Sequence, residues 1–168
     1  MQENFVLNEK SVSQNPAIEV LKRMGYTYLS REECAALRDN PFGVLLKPIL
    51  KIQLEKLNSF EYGGEKRSFS DANILRAVDE LDEPLTDGLI KTSEKIYDAL
   101  MLGKSYAEQT KDGTIKSFNL KYIDWDNPEN NVFHVTEEFS VESWDRLHNA
   151  RPDIVLFVNG IPFGVIEC

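Results

Sequence analysis

The feature that most constrains the fold is a pair of apolar segments near the end of the chain. Residues 154–158 read Ile-Val-Leu-Phe-Val and residues 161–166 read Ile-Pro-Phe-Gly-Val-Ile, with Asn159-Gly160 between them. An Asn-Gly pair between two short apolar runs is a strong signal for a β-hairpin. Strands that are almost continuously apolar are typical of a sheet covered by helices on both faces. The sequence therefore predicts a buried hairpin in a layered fold of helices and sheet.

A carboxylate stands at each outer end of this hairpin. Asp153 precedes the first strand and Glu167 follows the second. A carboxylate beside a buried strand is costly unless it is solvated, paired or bound to a metal ion. Spacing alone is compatible with two solvated strand ends, and also with a divalent cation that both acids share.

The register of the hairpin bears directly on the second interpretation. A two-residue turn with regular pairing places Asp153 opposite Ile166, and the two acids then fall on opposite faces of the sheet. A three-residue loop, or a bulge at Gly160, pairs Asp153 with Glu167 and puts both side chains on one face. Because a shared metal ion requires the second arrangement, we predict the longer loop or the bulge at Gly160.

Periodicity divides the chain into a mainly helical half, residues 1–102, and a β half, residues 103–168, which we expect to share one core as a single α+β domain. Caps, breakers and apolar spacing predict helices from Ser13, from the Ser30–Glu33 capping box through Leu37, from Gly43 to about Tyr62, from Ser70 to Pro84 and from Thr86 to Leu102. Alternation predicts strands at 104–109, 115–125 and 132–136 before the terminal hairpin.

The charge balance limits which partners the chain can bind unaided. Asp and Glu number 28 against 19 Lys and Arg, which gives a net charge of −9. That is the wrong sign for a surface that binds phosphates by itself, so nucleic acid would require a metal ion or partner proteins. No apolar run approaches the length of a membrane span, no leader is evident, and Cys34 and Cys168 lack zinc-like spacing. We expect a reduced, cytoplasmic protein.

Other polar residues receive structural interpretations. Asp124, Asp126 and Glu129 could be imagined as calcium ligands, but the segment contains Pro128 and lacks the central glycine of an EF-hand loop, so a polar turn is predicted. His134 and His148 have no partner at ligand spacing, so structural roles are predicted for both. Cys34 and Cys168 lack a nucleophile signature, so thiol catalysis is not predicted. The acidic residues 79–83 indicate a solvated helix end or a docking surface for a basic partner.

The run from Arg151 to Cys168 resembles the nuclease motif of the restriction subunit of type I restriction-modification enzymes. It reads Arg-Pro-Asp-Ile-Val-Leu-Phe-Val-Asn-Gly-Ile-Pro and ends in Val-Ile-Glu-Cys. This is a version of the Pro-Asp…(Asp/Glu)-x-Lys motif of restriction-endonuclease-like nucleases, in which a lysine would come directly after Cys168. Residues 122–125 and 130–133 resemble the segment that precedes the motif.

The resemblance implies a restriction-endonuclease-like core, a mixed or antiparallel sheet flanked by helices and truncated at its C-terminus. It implies that Asp153, Glu167 and the backbone carbonyl of Cys168 hold Mg²⁺ through oxygen ligands. Family members also carry an acid on the first helix, for which Gln14 and Glu19 are the nearest candidates here. Arg151 could contact a DNA phosphate or pair with Glu167, and the sequence does not choose.

The implied function is Mg²⁺-dependent hydrolysis of double-stranded DNA by a type I restriction subunit. In the whole protein this would be coupled to ATP-driven translocation, within a complex of modification and specificity subunits. Without the lysine and the later core, we expect this fragment to bind metal weakly and not to nick DNA. An open sheet edge would also favour dimers.

The alternative is a catalytically silent module that attaches partner proteins through its acidic helical half. The residue after Cys168 discriminates between the two functions, because a lysine there supports the nuclease.

Overall fold

The structure is a computed structural model that describes residues 13–41, 43–82, 88–142 and 149–168. Its helices are α1 Asn15–Arg23, α2 Arg31–Ala36, α3 Lys47–Leu57, α4 Asp71–Leu81 and α5 Leu89–Leu102, with a 3₁₀ turn at Pro128–Asn130. Its strands are β1 Thr27–Tyr28, β2 Phe60–Tyr62, β3 Glu65–Arg67, β4 Lys104–Gln109, β5 Ile115–Leu120, β6 Phe133–Glu137, β7 Val141–Glu142, β8 Asn149–Ala150, β9 Ile154–Val158 and β10 Ile161–Ile166. Helices stand beside mixed and antiparallel sheets, so the predicted α+β class is confirmed.

The described residues group into two compact units. The first lies within residues 1–46 and 133–168, and the second lies within residues 47–132. The first unit therefore takes α1 and α2 from the helical half of the sequence and the terminal hairpin from the β half. That the whole chain forms one domain stays a prediction.

The first unit is built on a four-stranded sheet in the order β1-β6-β9-β10. β1 runs parallel to β6, and the other neighbours are antiparallel. On one face, Ile18 and Leu21 of α1 pack against Val135 and Ile154. On the other face, the buried thiol of Cys34 in α2 forms a hydrogen bond with Thr136, which follows Val135 in β6. Helices thus cover both faces of the central strands, as the apolar runs predict.

The terminal hairpin turns through two residues, both in the left-handed region. Asn159 has φ 54° and Gly160 has φ 83°. Positive φ at both central residues is typical of a two-residue hairpin turn with the sequence Asn-Gly. Ile161 accordingly pairs with Val158. The predicted three-residue loop or bulge at Gly160 is therefore wrong.

A bulge occurs further along the second strand instead. Pro162 pairs with Phe157, but the next pair is Gly164 with Leu156, which leaves Phe163 as an extra residue. One property of the sequence suits this position: Pro162, directly before the extra residue, has no N–H to give to the ladder.

The bulge produces the pairing that a shared site requires. After it, Val165 pairs with Val155 and Ile166 pairs with Ile154. One further step along the ladder brings Glu167 opposite Asp153, on the face of the sheet that carries Val155. The predicted consequence thus follows from the register, although its cause lies three residues beyond Gly160.

Helix α3 differs from its prediction at both ends. It begins at Lys47 rather than Gly43, since Leu46 is extended and donates its N–H to the Gly160 carbonyl at 2.8 Å. It ends at Leu57 because Asn58 turns its side-chain amide onto the carbonyls of Leu54 and Lys121. Because the apolar spacing continues through Leu57, periodicity alone does not indicate that the helix ends there.

Residues 60–62, predicted as the end of this helix, form strand β2 instead, which pairs with β3 in a hairpin. It turns through Gly63-Gly64, both with positive φ. The strand predicted to reach Trp125 ends at Leu120. The Trp125 indole N–H donates to the Leu100 carbonyl at 2.8 Å, outside any ladder.

The other helix predictions agree with the structure where it describes them. Both halves of the Ser30–Glu33 capping box are present. Ser70 caps α4, whose predicted apolar face is buried: Ile74, Ala77, Val78 and Leu81. Gly25 follows α1 with φ 100°, as expected of a helix stop. Positions 84, 86 and 148 of the predictions lie outside the described residues.

The ladder predicts which cysteine pair will form a disulfide. The carbonyl of Asp153 accepts from Glu138 N–H, so the main-chain hydrogen bonds of Asp153 point toward β6 and away from β10. Residues 153 and 167 therefore form a non-hydrogen-bonded pair, in which the Cα atoms lie about 4.5 Å apart, close enough for a disulfide. In a background with Cys34 and Cys168 replaced by serine, we expect D153C with E167C to oxidise readily. D153C with I166C, whose side chains lie on opposite faces, should not. Non-reducing mass spectrometry of peptides distinguishes them, and preferential bridging of 153 to 166 would contradict the bulged register.

Candidate active site at the terminal hairpin

Asp153 is held in place by both of its neighbouring strands. Its carboxylate Oδ2 accepts a hydrogen bond from the backbone N–H of Cys168 at 2.8 Å. Its backbone carbonyl accepts from Glu138 N–H, also at 2.8 Å. The side chain is half-buried, whereas Glu167 across the ladder is exposed. The sheet thus fixes one carboxylate beside the chain at Cys168 and leaves the other accessible to solvent.

The donor set fits a hard cation with several water ligands. The ladder supplies two carboxylates, and the Cys168 carbonyl is the third oxygen that the resemblance names. Within the parts of the chain that the structure describes, no group of three or more His, Cys, Asp or Glu side chains is placed to hold a metal ion. A closed zinc site would need such a group, whereas Mg²⁺ commonly binds one or two carboxylates and retains water. The hairpin therefore suits Mg²⁺ better than Zn²⁺.

Arg151 lies at the approach to β9 and is paired with a residue that sequence reasoning did not single out. Its side chain is exposed, and Nη1 lies 3.9 Å from Oε2 of Glu138. The proposed alternative partner, Glu167, has no described ion pair with it. Glu138 has φ 48°, a left-handed conformation that is uncommon for glutamate. No sequence pattern marks such a position, because the constraint comes from the end of β6.

The two first-helix candidates have different environments. Gln14 is only 5% exposed, and its Oε1 is buried with no hydrogen-bond partner. It lies one turn before Ile18, which packs in a cluster that includes Cys168. Glu19 is exposed, and Lys22 at 2.7 Å lowers the pKa of its carboxyl by hydrogen bonding. Gln14 thus occupies the buried face next to the hairpin, and Glu19 has a cation of its own.

The remaining candidates that the structure describes lie in environments typical of structural residues. Burial lowers the pKa of His134 and raises that of the Cys34 thiol, so each favours its neutral form. His148 lies outside the described residues. Asp126 and Glu129 are exposed, whereas Asp124 organises the turn by accepting from Lys121 Nζ at 2.8 Å and Asn130 Nδ2 at 2.9 Å. This geometry agrees with the predicted polar turn.

Comparison with known proteins identifies the family of this chain. The chain matches, over residues 6–168, the family model described as type I restriction enzyme R protein N terminus. The chain therefore belongs to the N-terminal family of type I restriction enzyme R proteins.

Two relatives from Methanocaldococcus jannaschii are named as endonuclease subunits of type I restriction enzymes. The MjaIXP subunit is 28% identical over 165 residues, which cover 96% of this chain and 15% of the relative. The MjaVIIIP subunit is 30% identical over 155 residues, which cover 91% of this chain and 13% of the relative. The chain thus spans about one seventh of the length of these relatives. No helix among the described residues is long and apolar enough to cross a membrane.

Asp124 should make the stability of the protein sensitive to acid. Hydrogen bonds from Asn130 and Lys121 hold its pKa at about 2, below the ordinary value of 3.8. A depressed folded-state pKa stabilises the fold above the unfolded pKa, and this contribution disappears as pH falls from about 4 to about 2. We expect D124N to be less stable than the parent at pH 7 and to differ less from it at pH 2. Urea unfolding across this range measures the difference, and a constant gap would contradict the assignment.

Proposed function

We propose that this chain carries the metal-binding carboxylates of a Mg²⁺-dependent endonuclease that hydrolyses double-stranded DNA. One observation carries the proposal: the bulge at Phe163 sets the register that pairs Ile166 with Ile154. Continued by one residue, this register brings Asp153 and Glu167 opposite each other just beyond the ends of the two strands. Membership in the R-protein family and the names of the two relatives support the same reaction class.

The residues of the hairpin have separate roles in this proposal. Asp153, oriented by the Cys168 N–H, provides a fixed oxygen ligand, and the exposed Glu167 provides a second that can adjust to the substrate. The Cys168 carbonyl provides a third. The chemistry that bound Mg²⁺ supplies is polarisation of the phosphodiester and a lowered pKa for the attacking water. In the family pattern, a lysine two positions beyond Glu167 would share its face and stabilise the developing charge.

The activity of the longer protein extends this proposal. Relatives about seven times as long have room for the ATP-driven translocase that the resemblance implies. In that protein we propose cleavage coupled to translocation, in a cytoplasmic complex with modification and specificity subunits. Edge-strand dimerisation through β10, the last strand in the described sheet order, stays a prediction.

The docking alternative receives less support because much of the acidic cluster has partners within the chain. Lys47 Nζ lies 3.0 Å from Asp82 Oδ2 and 3.8 Å from Asp79 Oδ1. Glu80 accepts from the hydroxyl of Tyr106, and its carboxylate is 2.8 Å from Lys104 Nζ. Carboxylates engaged in this way are less available to a basic partner.

Metal titration tests the carboxylate pair. Removing either charge removes a ligand from a site that has only two carboxylates, so we expect D153N and E167Q each to weaken Mn²⁺ binding by about tenfold or more in isothermal titration calorimetry. E129Q is the matched control, since it neutralises an exposed glutamate in the turn after Asp124 and should bind as the parent does. If D153N and the parent bound Mn²⁺ with equal affinity, Asp153 would not be a metal ligand.

Cleavage by the assembled enzyme tests the reaction itself. We expect D153N and E167Q, placed in the full-length restriction subunit, to reduce DNA cleavage at least about a hundredfold. ATP hydrolysis should persist, because the substitutions alter the nuclease motif and not the translocase. Plasmid linearisation and phosphate release are measured on the same preparations. Normal cleavage by both variants would refute the assignment of the site.

A further inference from the structure

Three arginines line a pocket of about 300 Å³ in the first unit. Arg31 opens α2, Arg38 follows the same helix, and Arg151 precedes β9. Glu137 and Glu138 also line the pocket. Three arginines and two glutamates thus contribute to its lining, an excess of positive charge in a chain whose net charge is −9. Such a concentration of arginine suits an anion with several oxygens.

The pocket and the candidate carboxylates share one face of the sheet. Thr136 lines the pocket and pairs with Val155 directly across the ladder. Asp153 lies two residues before Val155 and so belongs to the same face by strand alternation. Glu138 N–H donates to the Asp153 carbonyl, which joins the edge of the pocket to the candidate metal ligand. An anion bound by the arginines would therefore lie beside the active site.

The three arginines differ in how they are held. Arg38 donates from Nη1 to the Ser140 carbonyl at 2.9 Å, and its guanidinium lies 4.6 Å from the centre of the Phe139 ring. These contacts make it a fixed positive charge. The side chains of Arg31 and Arg151 are 44% and 63% exposed, so their charged ends reach solvent.

Glu138 links the two exposed arginines. Its Oε2 lies 2.5 Å from Arg31 Nη1 and 3.9 Å from Arg151 Nη1. The left-handed backbone at Glu138 places the carboxylate between them. A guanidinium group binds a carboxylate and a phosphate with the same forked geometry. Glu138 thus occupies the position that a phosphate would take.

We propose that this pocket binds a backbone phosphate of duplex DNA next to the cleaved bond, and that the phosphate displaces Glu138 from Arg31 and Arg151. Arg38 contributes a fixed charge and no direct contact. The identity of the DNA as substrate rests on the proposed function. The arginines are positioning residues, since they hold the duplex and do not touch the reacting atoms.

DNA binding in EDTA tests the pocket without cleavage. Fluorescence anisotropy of the chain with a labelled 20-base-pair duplex is measured from about 50 to 200 mM salt. The phosphate contact adds about 0.9 to the salt slope, so R31Q combined with R151Q should lower the slope by about one. Each single variant should lower the slope by part of this amount and weaken binding at low salt. E138Q should bind more tightly than the parent, because it removes the competing carboxylate.

Two control variants separate the pocket from general charge and from folding. R23Q removes the same charge from the exposed last turn of α1, outside the pocket, and should leave the slope nearly unchanged. R31K retains the positive charge but loses the forked pair of N–H donors of the guanidinium group. The salt slope should therefore persist while the affinity for the duplex falls. Circular dichroism establishes that each variant is folded.

The possible outcomes distinguish this proposal from the proposed function. If R31Q and R151Q match R23Q, or if the chain binds no duplex, the pocket proposal is overturned, and the Mn²⁺ titration still decides the metal site. If the arginine effects appear but D153N binds Mn²⁺ normally, the pocket stands and the proposed metal site fails.

Discussion

The extra residue at Phe163 determines the geometry of the whole candidate site. A regular hairpin through Asn159-Gly160 would separate the two acids onto opposite faces, where they could not share a cation. The bulge absorbs one residue of β10, so that Asp153 faces Glu167 while Ile166 still packs with the cluster under α1. The bulge therefore allows Ile166 to pack in the core while the two acids of the candidate active site share one face. A regular register would not allow both.

The rest of the first unit stabilises this arrangement. Asp153 is tied to Cys168 through its side chain and to Glu138 through its backbone, so the carboxylate is positioned before any ligand arrives. Preorganised oxygens need little rearrangement when a cation binds. The ion pairs of Glu138 extend this order to Arg31 and Arg151. In a chain of net charge −9, such local placement of cations is what the proposed binding of DNA would require.

Local signals made much of the fold predictable. The capping box at Ser30, the cap at Ser70 and the Asn159-Gly160 turn each depend on residues within a few positions of one another, and all three are present. The end of α3 depended on Asn58 reaching Lys121, a contact that periodicity cannot reveal. The sequence predicts a bulge at Gly160, whereas the extra residue is Phe163, directly after Pro162, which has no N–H to give to the ladder.

The candidate site could likewise be predicted only in part from the sequence. Its two acids follow from the motif, because they border a readable hairpin. The pocket does not, because Arg31 and Arg151 are far apart in sequence and meet only through Glu138, whose left-handed backbone has no signature among neighbouring residues. Gln14 was recognised as a first-helix candidate, but its burial without a partner for Oε1 emerges only from the packing of α1.

The most direct test of the account is where a paramagnetic cation binds. Backbone amide spectra of the chain, recorded with increasing amounts of Mn²⁺, report distance from the ion through line broadening. The account predicts that the amides of Asp153, Glu167 and Cys168 broaden first, that Glu138 follows, and that D153N abolishes the effect at the same concentration. Broadening centred on the turn around Asp124, or broadening at Cys168 that survives D153N, would contradict the claim that the bulged hairpin builds the metal site.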